Sequence, residues 1–134
     1  MNFEKLKKYS PALLRIAIAI VFLWFGFSQL KNPSSWTGML PGFAKSLGFS
    51  PNTLIYISGS FEVIFSICLL LGIYTRIISF VLGLHLIDIL TIVGYGPIGV
   101  RDFALTLATF SIFLMGPDEF CLDTIIRNKY HKTL

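Results

Sequence analysis

Apolar residues fall in four long blocks, at about residues 12–30, 53–72, 77–93 and 101–117, each closed off by polar, proline or glycine positions. A bilayer's hydrocarbon core is about 30 Å thick and a helix rises about 1.5 Å per residue, so one crossing takes about 20 residues. The block lengths therefore predict four transmembrane helices. The expected fold class is all-α: an up-down-up-down four-helix transmembrane bundle, with residues 1–134 forming a single membrane domain.

The breaks between blocks carry recognisable stop and start signals. Ser10 with Pro11, and later Ser50 with Pro51, read as a cap and first-turn residue for spans one and two, while Asn32 and Pro33 stop the first helix. Gly72 to Arg76 turns the chain so tightly that spans two and three must be antiparallel neighbours. Gly94, Gly96, Pro97 and Gly99 predict a non-helical loop, after which Asp102 suits the N-cap of span four, with Arg101 beside it at the lipid boundary. The apolar run of that span, Phe103 to Met115, is short for a crossing, so the helix must use its flanks or thin the bilayer locally before Gly116 and Pro117 end it.

Two stretches outside the spans keep some pattern. In the first loop, Trp36, Leu40, Phe43 and Leu47 recur at helical spacing and predict a short interfacial segment, which Pro41 and Gly42 would break or bend. It serves either as a lid over the bundle or as a simple anchor. From Asp118 to Leu134, charges alternate with Phe120, Leu122, Ile125 and Ile126, the pattern of an amphipathic tail resting on the membrane surface.

Composition agrees with a lipid environment. The chain is 54% hydrophobic and 13% charged, against about 45 to 50% and about 25% for a soluble domain. Four crossings leave no room within these residues for a soluble catalytic domain, so chemistry belongs in the bundle, its loops or a partner. The basic, then apolar, beginning resembles a signal peptide, but Trp24, Phe25, Phe27 and Gln29 stand where a small-residue cleavage site would be; a retained first span is expected.

Charge sets the orientation. Lys5, Lys7, Lys8, Arg15, Arg76, Arg127, Lys129 and Lys132 fall on one side, and Lys31, Lys45 and Arg101 on the other, which places both termini in the cytoplasm of a bacterial-type inner membrane. The net charge of +4 then needs no nucleic-acid partner. Arg15 lies within about a turn of the lipid boundary and has a stem long enough to snorkel to the headgroups. Arg76 reads as an orientation charge. Cys68 and Cys121 form no CxxC pair and are expected to be free, with Cys68 a small apolar filler.

Ionisable groups at membrane depth are costly, and that makes them the first candidates for function. Glu62 lies midway along span two and His85 midway along span three, so antiparallel spans bring them to one depth; Asp88 is one turn on, on the face of His85, about 4.5 Å nearer the outside. Gln29, Ser58 and Arg101 belong to the same half of the bundle. A polar cavity opening outward under the first loop would satisfy them all. A carboxylate beside an imidazole at low dielectric can exchange a proton near neutral pH, which suits a proton relay or a quinone headgroup site. The expected catalytic residues are Glu62, His85 and Asp88, and the expected cofactor-binding residues Gln29, Ser58, Glu62 and Arg101, with Arg101 the outer charge partner. The plainer reading is that these groups only tie helices together, at about 0.6 to 2 kcal/mol per bond. No metal, Walker or haem motif is present.

Arg15 and Gly26 in span one, GSFEVIFSICLLLGIYTR with Glu62, Gly72 and Arg76, RDFAL at Arg101 and Asp102, and GPDEFCLD at the end together resemble the DoxX family of small four-helix membrane proteins. The usual small-Ser-Leu-Asp ending is here Cys121, Leu122 and Asp123; His85 and Asp88 belong to no family motif. The resemblance implies a four-helix bundle and association with thiosulfate:quinone oxidoreductases or other membrane redox complexes. Similar eukaryotic proteins act as membrane chaperones or cargo receptors. The expected function is the membrane subunit of a redox system that binds a quinone or similar lipophilic ligand and serves a redox partner, as an accessory subunit rather than an enzyme with its own cycle. A non-catalytic scaffold or a small proton-coupled transporter, the latter requiring a homo-oligomer, are the alternatives.

Overall fold

The computed structural model describes residues 3–131, with the side chains of residues 4, 5 and 45 excepted. Lys132 of the charge count and the last residues of the tail lie outside it. Six α-helices follow one another: α1 (Phe3–Lys7), α2 (Tyr9–Lys31), α3 (Pro51–Leu71), α4 (Thr75–Val93), α5 (Pro97–Met115) and α6 (Leu122–His131). Helices α2 to α5 are long and apolar enough to cross a membrane, and they form the expected four-helix bundle. Among the described residues there is no strand.

The helix ends show where the local signals acted. Ser50 accepts a hydrogen bond from the Thr53 backbone N–H at 3.2 Å and Pro51 takes the first helical position, as expected. Gly72 (φ 72°) and Tyr74 (φ 47°) both adopt the left-handed conformation, so only three residues separate α3 from α4. Two expectations need correction. Helix α2 starts at Tyr9 rather than after Ser10, because Pro11 still lies in the first turn, where its missing N–H costs nothing. Helix α5 starts at Pro97, so Asp102 is not its N-cap but a buried residue of its second turn. Proline at the first position is preorganised for a helix, and recruiting residues 97–102 lengthens a span whose apolar run alone is too short.

Apolar side chains such as Leu13, Ile20, Ile57, Ile64, Leu84, Leu107 and Leu114 point outward, into what the helices' hydropathy identifies as lipid. Inside, Ile18, Ala19, Phe22, Leu69, Leu82 and Ile112 make the core, accompanied by small hydroxylated residues. Ser79 donates to Thr75 O, Thr106 to Asp102 O and Thr109 to Leu105 O, each at 2.7 Å, and Ser66 donates to Glu62 O. Returning each hydroxyl to its own helix satisfies it without water and leaves a small surface against the neighbouring helix.

Close approach of α2 to α3 depends on two glycines. A Cβ on Gly26 would stand 2.8 Å from Val63 Cγ2 and 3.0 Å from Gly59 O; one on Gly59 would stand 3.0 Å from Gln29 Cβ. This crossing sets Gln29 against the turn of α3 that carries Glu62.

At the bundle end that carries both termini, the sequence reading is overturned in part. Arg15 does not snorkel: its side chain is 2% exposed and its Nε donates to Asp118 Oδ2 at 2.6 Å, while Nη1 donates to the carbonyls of Leu69 and Leu70. Asp118 and Cys121 are accordingly buried in the bundle, while Glu119 and Phe120 between them stay exposed. Cys121 is fully buried against Gly72, 3.4 Å from the Thr75 hydroxyl. Asp123 accepts from the Thr75 backbone N–H at 3.4 Å, helping to cap α4, and its own N–H donates to Gly72 O. Only α6 beyond this clamp fits the expected amphipathic tail, with Ile125, Ile126 and Tyr130 exposed. Arg76 packs against Gly116, where a Cβ would meet its Nε at 2.6 Å.

Candidate functional site

Glu62 is 1% exposed; its Oε1 accepts a hydrogen bond from Gln29 Nε2 at 2.9 Å and shares another with His85 Nε2 at 2.8 Å. Three helices thus converge on one carboxylate oxygen: α2 through Gln29, α3 through Glu62 and α4 through His85. The imidazole is held edge-on by the Phe61 ring, 5.2 Å between centroids.

The second acceptors of this pair are left open. Glu62 Oε2 and Gln29 Oε1 are both buried and have no hydrogen-bond partner among the described residues. In low dielectric leaving such an oxygen without a donor costs about 1–3 kcal/mol, more when it is charged.

Beside these atoms lies a cavity of about 380 Å³, within the range of about 300–1,000 Å³ of small-molecule sites. Its walls are mostly apolar, with Phe22, Phe25 and Phe61 contributed by the bundle. The first loop closes over it. That loop forms two 3₁₀ segments, Pro33–Met39 and Gly42–Leu47, joined at Leu40 and Pro41, and Trp36, Met39, Leu40 and Phe43 line the cavity from above. The position is that of a lid, although Phe43 and Leu47 keep large exposed faces, as anchors would. Pro41 breaks the continuous helix that the spacing of apolar residues suggested, and Trp36 is fixed by an edge-to-face contact with Phe25 at 5.7 Å.

All six residues singled out from the sequence line this cavity: Gln29, Ser58, Glu62, His85, Asp88 and Arg101. Their connections differ from those expected. His85 bonds to Glu62, whereas the Asp88 carboxylate has no hydrogen bond or ion pair among the described residues. Arg101 pairs with Asp102 at 2.8 Å and lies 5.2 Å from the centre of the Phe25 ring, so its charge partner is Asp102 and not Glu62. A one-residue spacing gave no reason to expect that pair. It forms because α5 begins early enough to bury Asp102 while Arg101 remains half exposed.

The Arg15–Asp118 pair escaped the sequence reading, being separated by 103 residues. The available signal was an acidic residue just past the last span, at the same bundle end as a cation one turn inside the first. Burial pushes the Asp118 carboxyl up, but the Arg15 hydrogen bond and charge and the Phe120 backbone N–H outweigh it, leaving the carboxyl below the ordinary range. Burial pushes the Cys121 thiol up. No group of three or more metal-ligating side chains occurs among the described residues.

The DoxX family model matches residues 10–95, which takes in α2, α3 and α4 with Arg15, Gln29, Glu62, His85 and Asp88, and stops before Arg101 and Asp118. An uncharacterized protein of Haemophilus influenzae is 33% identical over 86 residues, or 63% of this chain and 59% of that protein. The chain thus spans well under two thirds of the relative's length. No solved structure matches.

Proposed function

The chain belongs to the DoxX family, and from that premise we propose that it serves as the membrane subunit of a redox system, holding a quinone or similar lipophilic ligand by its polar head at Glu62. The observation that carries this reading is the pair of open acceptors, Glu62 Oε2 and Gln29 Oε1, set beside an aromatic-walled cavity in an integral membrane protein. A packing-only scaffold would close its polar groups on one another. Here the helices are joined through one carboxylate oxygen while the other has no partner among the described residues, which supports a reading in which a ligand meets it.

A quinone supplies reversible transfer of two electrons and two protons, the electrons passing to or from a partner protein. This chain's residues deal with the head and the protons. Phe22, Phe25 and Phe61 enclose a flat ring, Trp36 and Leu40 screen it from water, and Gln29 orients the Glu62 carboxylate. His85 can share a proton with Glu62 across 2.8 Å, and Asp88, lining the same cavity, is placed to continue toward the lid. With both termini in the cytoplasm, as the basic bias of the sequence expects, the lid faces outward.

The test is isolation in lipid nanodiscs followed by extraction and mass spectrometry. Wild type should carry a quinone-class molecule in near-stoichiometric amount, and Glu62→Leu should lose it while retaining its helical content. Wild-type protein free of any such molecule, and unable to take up an added quinone in either redox state, would overturn the proposal.

A further inference from the structure

We infer that the bundle end carrying both termini is a binding surface for acidic phospholipid headgroups, built from α6 together with the start of α2. This surface is separate from the Glu62 cavity, which lies under the first loop at the other end. Helix α6 has 10 residues and buries none of them, and a helix that short is marginal in water unless something covers its apolar side. Its apolar side is well defined. Half-buried Leu122 and exposed Ile125, Ile126 and Tyr130 share one face at three- and four-residue spacing. Exposed Lys129 stands within that stripe, where its stem can lie along the isoleucines while the ammonium reaches a phosphate, and Arg127 is exposed one turn after Asp123. The Asp123 carboxylate itself is spent on the Thr75 backbone N–H.

The position of α6 says what covers it. Asp123 bonds to both sides of the turn between two spans, donating its N–H to Gly72 O and accepting from Thr75, so α6 leaves the bundle where α3 and α4 meet the headgroup layer. Exposed Tyr9, Tyr74 and Tyr130 mark that layer, since a ring with a polar tip is best placed at a membrane boundary. The start of α2 joins the same patch: Tyr9 stacks on Phe120 with 5.4 Å between centroids, and the Lys8 ammonium lies 5.0 Å from the centre of the Tyr9 ring. Charge then selects the lipid. Lys7, Lys8, Arg76, Arg127 and Lys129 are all exposed at this end; with Asp118 neutralising Arg15, the acids facing them among the described side chains are Asp123 and Glu119. Basic residues flanking an apolar stripe are drawn to an acidic leaflet, and salt screens the attraction.

The experiment is hydrogen–deuterium exchange of the full chain in nanodiscs of phosphatidylcholine alone and of phosphatidylcholine with phosphatidylglycerol. Phosphatidylglycerol should slow exchange of the α6 amides about tenfold or more, and about 0.5 M salt should reverse most of that protection. Replacing Arg127 and Lys129 together by Gln should shrink the difference between the two lipid compositions while leaving exchange in α2 to α5 unchanged. Equal α6 exchange in the two compositions overturns the inference at either level. Slow exchange in both would mean that the apolar stripe alone seats the helix, and fast exchange in both that no headgroup holds it. The wild-type comparison decides the matter even if the double variant fails to fold.

Discussion

Asp118→Ala is the sharpest test of how the bundle's terminal end is held. It removes one member of an ion pair whose side chains are each 2% exposed, and leaves the Arg15 guanidinium inside the protein. Removing one partner of a buried pair costs about 3–5 kcal/mol, because the survivor is an uncompensated charge. Arg15 keeps the carbonyls of Leu69 and Leu70, so the loss should fall at the low end, about 3 kcal/mol. Equilibrium unfolding in mixed detergent micelles, followed by far-UV circular dichroism, measures it. Arg15→Met combined with Asp118→Leu removes both charges and should recover most of the loss, since an apolar pair of similar volume has no desolvation penalty to offset. If Asp118→Ala stays within about 0.5 kcal/mol of wild type, as surface changes do, the pair is not buried in the membrane protein and the clamp is wrong.

Three further outcomes follow from the same geometry. Because the Asp118 carboxyl lies below its ordinary value when folded, its stabilisation is complete above the ordinary carboxylate range and is lost as pH falls through the folded value. The stability gap between wild type and Asp118→Asn should therefore hold near neutrality and shrink below about pH 4; a gap that widens in acid contradicts the sign. Gly59→Val would push against Gln29 Cβ and Gly26 O, each 3.0 Å from a Cβ at that position, so it should cost about 1–3 kcal/mol and abolish ligand binding by displacing Gln29. Retained binding would show that the glycine crossing does not position the site. Cys121, fully buried with its thiol pushed up, should resist maleimide in the folded protein at neutral pH and react once unfolded in SDS. Rapid labelling of the native protein at that cysteine would place the 118–121 segment outside the bundle.

Much of the architecture was legible from the chain because it depends on local energetics. Whether a segment crosses the bilayer is set by summed transfer free energies, so four spans could be counted directly, and Ser50 with Pro51 and Gly72 marked their ends in advance. The shared depth of Glu62 and His85 followed from antiparallel helices of equal rise, and the 2.8 Å contact between them needs little more than that. Helix starts were less legible where proline was involved: Pro97, which reads as part of a non-helical loop, opens α5, and α2 begins at Tyr9, just ahead of the Ser10–Pro11 pair.

Choice of partner is a different kind of question. Hydropathy says how deep a residue lies but not which way its helix is rotated, and rotation decides whether Arg15 meets headgroups or Asp118, and whether Arg101 answers Glu62 or Asp102. Here rotation is set by close packing, with Gly26 against Gly59 locking α2 to α3, and by a C-terminal segment folding back from more than a hundred residues away. By itself the sequence determined the number, length and polar contents of the spans, since each depends on residues close in the chain. Only the tertiary structure decided which oxygen of Glu62 is occupied and which is left open, because that depends on three helices packing in register around one side chain.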